Sequence, residues 1–409
     1  MTEKENFLLF SDNKKPIIYS TSIAATWIWA PEIYVTSQMG FYNGIWGPLF
    51  FTIPATLTLI LFGYFASLVR QNQSGFTLGD ISREAGKAQY SVSIFTSICL
   101  LICSTAVQLL GLFVLLNTFF EVDKPLAAII LSIIALSITF RHGLKLSIIT
   151  DHYKLLIMIF LSLFLFLSPE ISLSNFDING LNNTSFIHLA MIFGITSAIG
   201  HFTSPYVDQT FWQRVFSIDK KDIKKRFFES ALVFIPIPVI FGLLGLLSPH
   251  NIEDFNIIKV FTAFPFNIII SGIVICALIS TLDSNLCAIS SLTWNELNLS
   301  DKHGKLLGIV SMVVLLALAN SIVIFTNIGI VQLFLVYGTL RTCVGTSMIL
   351  IILKKFNKKV LPYLTIISTI VCTSGFIIMQ NVKPEYAFIF TLLALFIPLL
   401  AFQRKQNEI

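Results

Sequence analysis

The chain has 409 residues, of which 55% are hydrophobic and only 12% charged, with a formal net charge of +5. Soluble domains carry about 25% charged residues, and the apolar residues here run in long blocks that do not alternate with polar ones. That excludes a soluble enzyme and a β-barrel, and basic residues scattered over many short segments exclude a nucleic-acid surface.

Blocks of about 20 apolar residues match the thickness of a bilayer core, where a helix satisfies its own backbone. They predict an all-α membrane protein of about twelve transmembrane helices, a single transporter domain over residues 1–409 in the lipid bilayer of the cell membrane. The expected spans are 16–38, 45–69, 89–119, 124–140, 144–168, 186–212, 227–248, 260–296, 305–325, 328–353, 359–379 and 385–403. Residues 1–15 are polar, carry Lys4, Lys14 and Lys15, and show no signal-peptide cleavage pattern. The bias of Lys and Arg places both termini in the cytoplasm. Lys220, Lys221, Lys224, Lys225 and Arg226 mark the 217–226 loop as inner, and the expected outer loops hold only Lys124, Lys259 and Lys383. The 169–185 loop, with the sequon Asn182-Asn183-Thr184, is expected outside.

The first span reads Ala24-Ala25-Thr26-Trp27-Ile28-Trp29-Ala30-Pro31-Glu32. Pro31 has no amide N–H and crowds the carbonyl one turn back, so the helix should break near residues 25–29 and release carbonyl groups. An ordinary proline kink explains the same residues. The fifth span opens with Asp151, His152 and Lys154, and there Lys154 can reach the inner interface along its apolar stem. Asp208, ahead of Gln213 and Arg214, marks the inner end of the sixth span. In the eighth, Ala277, Thr281, Ser284 and Ala288 form one small, partly polar stripe, with Ser280 and Asp283 on its edge. Hydroxyl and carboxylate oxygens suit a hard cation. Helix packing through small residues accounts for the same stripe. Glu32, Asp283 and Arg341 have apolar neighbours on both sides, and such intramembrane charges are usually functional. Cys99, Cys103, Cys276, Cys287, Cys343 and Cys372 all sit inside apolar blocks without metal-ligand spacing and read as small core residues.

Four segments in order resemble the sodium:solute symporter family. They are the run 277–284 (A-L-I-S-T-L-D-S), Asp208-Gln209 followed by Gln213-Arg214, Thr150-Asp151, and Trp27-Ile28-Trp29-Ala30 followed by Gly40, Gly44 and Gly47-Pro48. The last is similar to the urea-transporter branch, which carries W-T-W-A and G-x-S-G-P; here Trp-Ile replaces Trp-Thr. Members of that family usually begin with an extra helix, which this chain is expected to lack. The resemblance implies a LeuT-type fold of two inverted five-helix repeats, 16–168 and 186–353, with two appended C-terminal helices over 359–403. It implies a sodium site at Ala25, Ile28, Ala277, Ser280 and Thr281. Some members add a second cation near the fifth-span aspartate, which here means Asp151 with Ser280, Asp283 and Ser284.

The expected function is sodium-coupled symport of a small organic solute by alternating access, with Na⁺ as coupling ion and no other cofactor. Trp27, Trp29, Glu32, Asp208 and Gln209 are expected to line the solute site. Aromatic walls with a carboxylate suit a cationic or amide-bearing solute. The second span offers little polarity beyond Thr52, which argues against a sugar. Alternatives are a sensor that kept the transporter fold, a proton as coupling ion carried by Asp151 or Asp283, and a membrane enzyme using His152 or His201. Spacing gives neither histidine a partner. The sequence names neither the solute nor the oligomeric state.

Overall fold

A computed structural model describes residues 3–10, 16–168, 187–248, 255–263 and 265–403. The sequon at Asn182, the 169–185 loop, Lys14 and Lys15 lie outside the described residues. Among the described residues the structure is helical throughout, apart from one isolated bridge between Phe356 and Phe402.

A short helix α1 (Glu3–Leu8) precedes α2 (Ile17–Trp27) and α3 (Ala30–Asn43), which together form the first expected span. Ile28 and Trp29 between them are extended, with ψ of 102° and −174°. Pro31 falls in the first turn of α3, where a missing N–H is harmless, so the chain breaks just ahead of it. Then come α4 (Trp46–Asn72), the short α5 (Leu78–Ser82), α6 (Lys87–Phe120) and α7 (Lys124–Phe166). A bend at Gly143, with φ of 52°, divides α7 into Lys124–Phe140 and Gly143–Phe166, the fourth and fifth expected spans. A Cβ there would lie 2.4 Å from the Phe7 carbonyl, so both the φ and the contact require glycine.

The sixth expected span, 186–212, is not one helix. It is α8 (Ile187–Val207), which includes a π-helical stretch at Ala190–Ile195, and α9 (Gln209–Ser217). Asp208 is extended between them and caps α9 with its own carboxylate. The seventh is α10 (Ile223–Phe234) and α11 (Pro236–Leu246), joined through Ile235. A short α12 (Ile257–Val260) precedes α13 (Phe266–Glu296), which starts later than the expected 260. The chain ends with α14 (Asp301–Phe325), α15 (Ile330–Ile352), α16 (Leu361–Val382) and α17 (Pro384–Leu399).

Two groups of helices pack across the molecule. In one, α2 lies on α10, α3 on α11, and α4 on α8 and α10; in the other, α13 lies on α6, α7 and α14. The broken helices α2/α3 and α8/α9 both meet α13 or α15 between the groups. The outer faces are apolar: Phe95, Ile133, Phe160 and Ile370 are between 63% and 68% exposed. The interior holds Asp151, Arg214, Asp283 and Arg341, all buried. That inverts the soluble pattern and suits lipid outside with polar groups paired within. Nine helices among the described residues are long and apolar enough to cross a bilayer. The chain is a multi-span membrane protein.

Candidate functional site

The break between α2 and α3 diverts the N–H groups that would close the helix. Trp29 N donates to Glu32 Oε2 (2.9 Å), Ala30 N to Gln108 Oε1 (3.1 Å) and Glu32 N to Trp29 O (3.1 Å), while Pro31 has no N–H. The carbonyls of Ala25, Thr26, Trp27 and Ile28 therefore lose their helical donors. Two of them meet α13. Thr281 Oγ1 lies 3.3 Å from the Thr26 carbonyl, 3.4 Å from that of Ile28 and 3.4 Å from that of Ala277. One hydroxyl hydrogen cannot serve three acceptors, so neutral oxygens with spare lone pairs crowd this point. Thr26, which sequence reading did not single out, stands beside Ala25 and supplies one of the carbonyls. Ser280 faces the other way and donates to Asp151 Oδ1 (2.7 Å).

Beyond Ser280 lies a buried charge cluster. Asp151 Oδ2 accepts from Ser22 Oγ (2.7 Å) and Arg214 Nη2 (2.9 Å), and its Oδ1 lies 3.5 Å from Lys154 Nζ. Asp283 Oδ1 accepts from Ser147 Oγ (2.9 Å), and its Oδ2 lies 2.5 Å from Lys154 Nζ. Arg214 Nη2 also donates to Ser284 Oγ (2.7 Å). Asp151, Asp283 and Ser284 are thus gathered as expected, but the cations beside them belong to the protein. Lys154 does not reach for the inner interface as its place in the helix suggested. It turns inward, because two buried carboxylates need compensating charge. Its position three residues after Asp151, on the same helix face, is the signal that could have shown it.

A cavity of about 20 Å³ lies on the other side of Thr281, room for about one water. Thr26, Trp27, Trp29, Asp208, Thr281 and Arg341 bound it, together with Ser104, Asn285 and Tyr337. Trp27 is fixed by its indole N–H to the Ala55 carbonyl (3.2 Å) and by edge contact with Phe211. Trp29 packs against Phe334 and Tyr337. Trp27, Trp29 and Asp208, three of the residues expected to line a solute site, thus share this cavity. Glu32 does not face the cavity. It is fully buried, and its carboxylate caps α3 through Trp29 N. Gln209 is also elsewhere: Oε1 accepts from Leu78 N (2.9 Å), and Nε2 donates to the Phe76 carbonyl and Ser291 Oγ (both 3.0 Å). It ties α9 to the link before α5. His152 and His201 are held separately, His152 by Thr21 Oγ1 (2.9 Å) and His201 by the Ser197 carbonyl (2.8 Å).

The two ends of the molecule differ. At one, Glu296 accepts from Arg83 Nη2 (2.6 Å), Tyr90 Oη (2.7 Å) and Thr77 Oγ1, and Lys4 Nζ donates to Asn295 Oδ1 (3.0 Å). Phe10 N donates to Ser217 Oγ (3.2 Å) there, closing α1 across the helix ends. At the other, a cavity of about 400 Å³ is bounded by Tyr34, Gln38, Val114, Phe255 and Gly329.

Fold and site together define an all-α membrane protein of LeuT type, built around broken helices. No family model matches the chain. It is 21% identical over 260 residues to the urea-proton symporter DUR3 of Oryza sativa subsp. japonica, which is 54% of this chain and 36% of that protein. It is 20% identical over 268 residues to the probable urea active transporter 3 of Schizosaccharomyces pombe, 60% of this chain and 40% of that one. The chain thus matches well under half the length of these relatives. Its fold is shared with a Na⁺-coupled sialic acid symporter (TM-score 0.70, 14% identity, 94% of this chain and 89% of that one). It is also shared with Mhp1, a nucleobase-cation-symport-1 transporter (TM-score 0.63, 16% identity, 94% and 91%). These relatives and neighbours are transporters, not enzymes.

Proposed function

We propose that this protein is a sodium-coupled symporter of a small polar solute. The observation that carries the reading is the convergence of the Thr26, Ile28 and Ala277 carbonyls on Thr281 Oγ1. Neutral oxygens from a broken helix and from the helix facing it suit a monovalent hard cation. Ala25, whose carbonyl is freed by the same break, completes the set. Ser280 belongs to the shell of Asp151 instead. Binding of Na⁺ draws α2 and α3 onto α13 and so shapes the cavity between Trp27, Trp29 and Asp208. Asp151 and Asp283 already have Arg214 and Lys154 beside them, which speaks against a second cation there.

Residues 16–168 and 186–353 form the two inverted repeats, with 359–403 appended. Each half begins with a broken helix, at Ile28–Trp29 and at Asp208, which supports that division. The end carrying Lys4 and Arg83 faces the cytoplasm by the distribution of basic residues. The curated relatives are urea transporters, which supports a solute of that size and polarity. A second reading has its own observation. Asp283 and Lys154, 2.5 Å apart, form an acid–base pair able to pass a proton, and one relative is a urea-proton symporter.

Uptake of radiolabelled urea into proteoliposomes, under an inward Na⁺ gradient or an inward proton gradient, separates the two. Sodium coupling predicts uptake that follows Na⁺ and survives collapse of the proton gradient by an ionophore. Uptake that follows the proton gradient alone supports the proton reading instead.

A further inference from the structure

We propose that Arg341 anchors the transported solute, and that the solute offers it an oxygen on a carbonyl or carboxylate group. The proposal deepens the transport reading above and rests on the same cavity. Arg341 lies in the middle of α15 and is 1% exposed. Its Nη1 donates to Ser204 Oγ (2.6 Å). Its Nε and Nη2 are buried without a hydrogen-bond partner. Buried polar groups are rarely left so, and a buried cation whose donors go unmet is among the costlier arrangements in a protein.

Among the described residues no carboxylate is hydrogen-bonded to these two nitrogens, although Glu32 Oε1 is likewise buried without a partner. Glu32 Oε2 is held by Trp29 N, and Asp208 Oδ1 by the N–H and hydroxyl of Thr210. Among the described residues Arg341 belongs to no ion pair. The guanidinium carbon sits 3.9 Å from the centre of the Tyr337 ring and 5.7 Å from that of Trp29. Stacking fixes the plane of the guanidinium, and Arg341 is one of the residues that line the cavity. A planar fork of N–H groups fits the paired lone pairs of a carboxylate or the oxygen of an amide. A cationic solute would instead meet a fixed positive charge with little water to screen it. Of the cationic or amide-bearing solute expected, the amide-bearing one fits, because Glu32 Oε2 is held by Trp29 N while Arg341 Nε and Nη2 have no partner. With room for about one water in this state, the solute binds after the α2/α3 wall moves away.

The test uses the purified full chain in detergent, with thermal unfolding followed in NaCl or choline chloride. The probes are acetamide, acetate and methylammonium. Acetamide or acetate should raise the unfolding temperature and methylammonium should not; whichever oxygen probe works names the amide or the carboxylate. In Arg341→Gln the concentration needed should rise about ten- to a hundredfold, the loss expected for a hydrogen bond to a charged group. Arg341→Lys keeps the charge without the fork and should retain more of the acetate response than of the acetamide response. Stabilisation by Na⁺ alone should persist in Arg341→Gln, which shows that the variant is folded. Oxygen probes that act equally in choline chloride would leave the anchor standing and remove sodium coupling. A response to methylammonium only, no response to either oxygen probe, or an unchanged response in a folded Arg341→Gln overturns the anchor.

Discussion

At Thr281 a single hydroxyl bridges the broken α2/α3 pair and α13, so its removal should be read in sodium dependence. Thr281→Ala should raise the Na⁺ concentration for half-maximal uptake about ten- to a hundredfold, the scale seen when an ion site loses one supporting group. Thr281→Ser should keep most activity. Lys154 makes a different prediction. Lys154→Met leaves Asp283 buried beside one cation fewer and should cost about 3–5 kcal/mol of stability. Lys154→Met with Asp283→Asn should recover most of that loss in thermal unfolding. If the single variant is as stable as the parent, the pair does not neutralise a buried charge. Thr281 was legible in the sequence, because residues four apart share a helix face and Ala277 leaves its carbonyl accessible. Lys154 and Gln209 were not. A long flexible side chain reaches inward or outward from the same position, and only the three-dimensional placement of Asp283, Phe76 and Ser291 decides which.

At the scale of elements, the start of α3 and the contact between α3 and α11 matter most. Glu32 caps α3 and does not line the cavity, so Glu32→Ala should lower stability by about 1 kcal/mol, as loss of a helix cap does. It should leave apparent solute affinity unchanged in an uptake assay; a weakened affinity at normal stability returns Glu32 to the solute site. Helices α3 and α11 touch backbone to backbone. A Cβ at Gly245 would lie 1.9 Å from the Ser37 carbonyl, and one at Gly40 would lie 2.2 Å from that of Gly242. Gly245→Ala should therefore prevent close packing and greatly lower the yield of monodisperse protein on size exclusion. The first break was readable because proline cannot donate. The second was read only as a span end at Asp208, with the span carried on to 212, since the apolar run continues through Tyr206, Val207 and Phe211; Asp208 followed by Thr210 is also an N-cap pattern. The bend at Gly143 was expected as a boundary between spans, because Arg141 and Lys145 flank it.

For the molecule as a whole, the proposed alternating access requires the end tied by Glu296, Arg83 and Lys4 and the end near Glu121 to face opposite sides of the bilayer. Single cysteines at Lys221 and at Glu121, in a background lacking the native cysteines, should react with a membrane-impermeant reagent from opposite sides. Labelling from the same side would contradict the topology. The central claim, that sodium binds where the first-span break meets α13, is tested most directly by saturable binding of ²²Na⁺ to the purified protein. The account predicts saturable binding by the parent, retained in Thr281→Ser and weakened about ten- to a hundredfold in Thr281→Ala. Binding of the same affinity in folded Thr281→Ala, or no saturable binding by the parent, would contradict it.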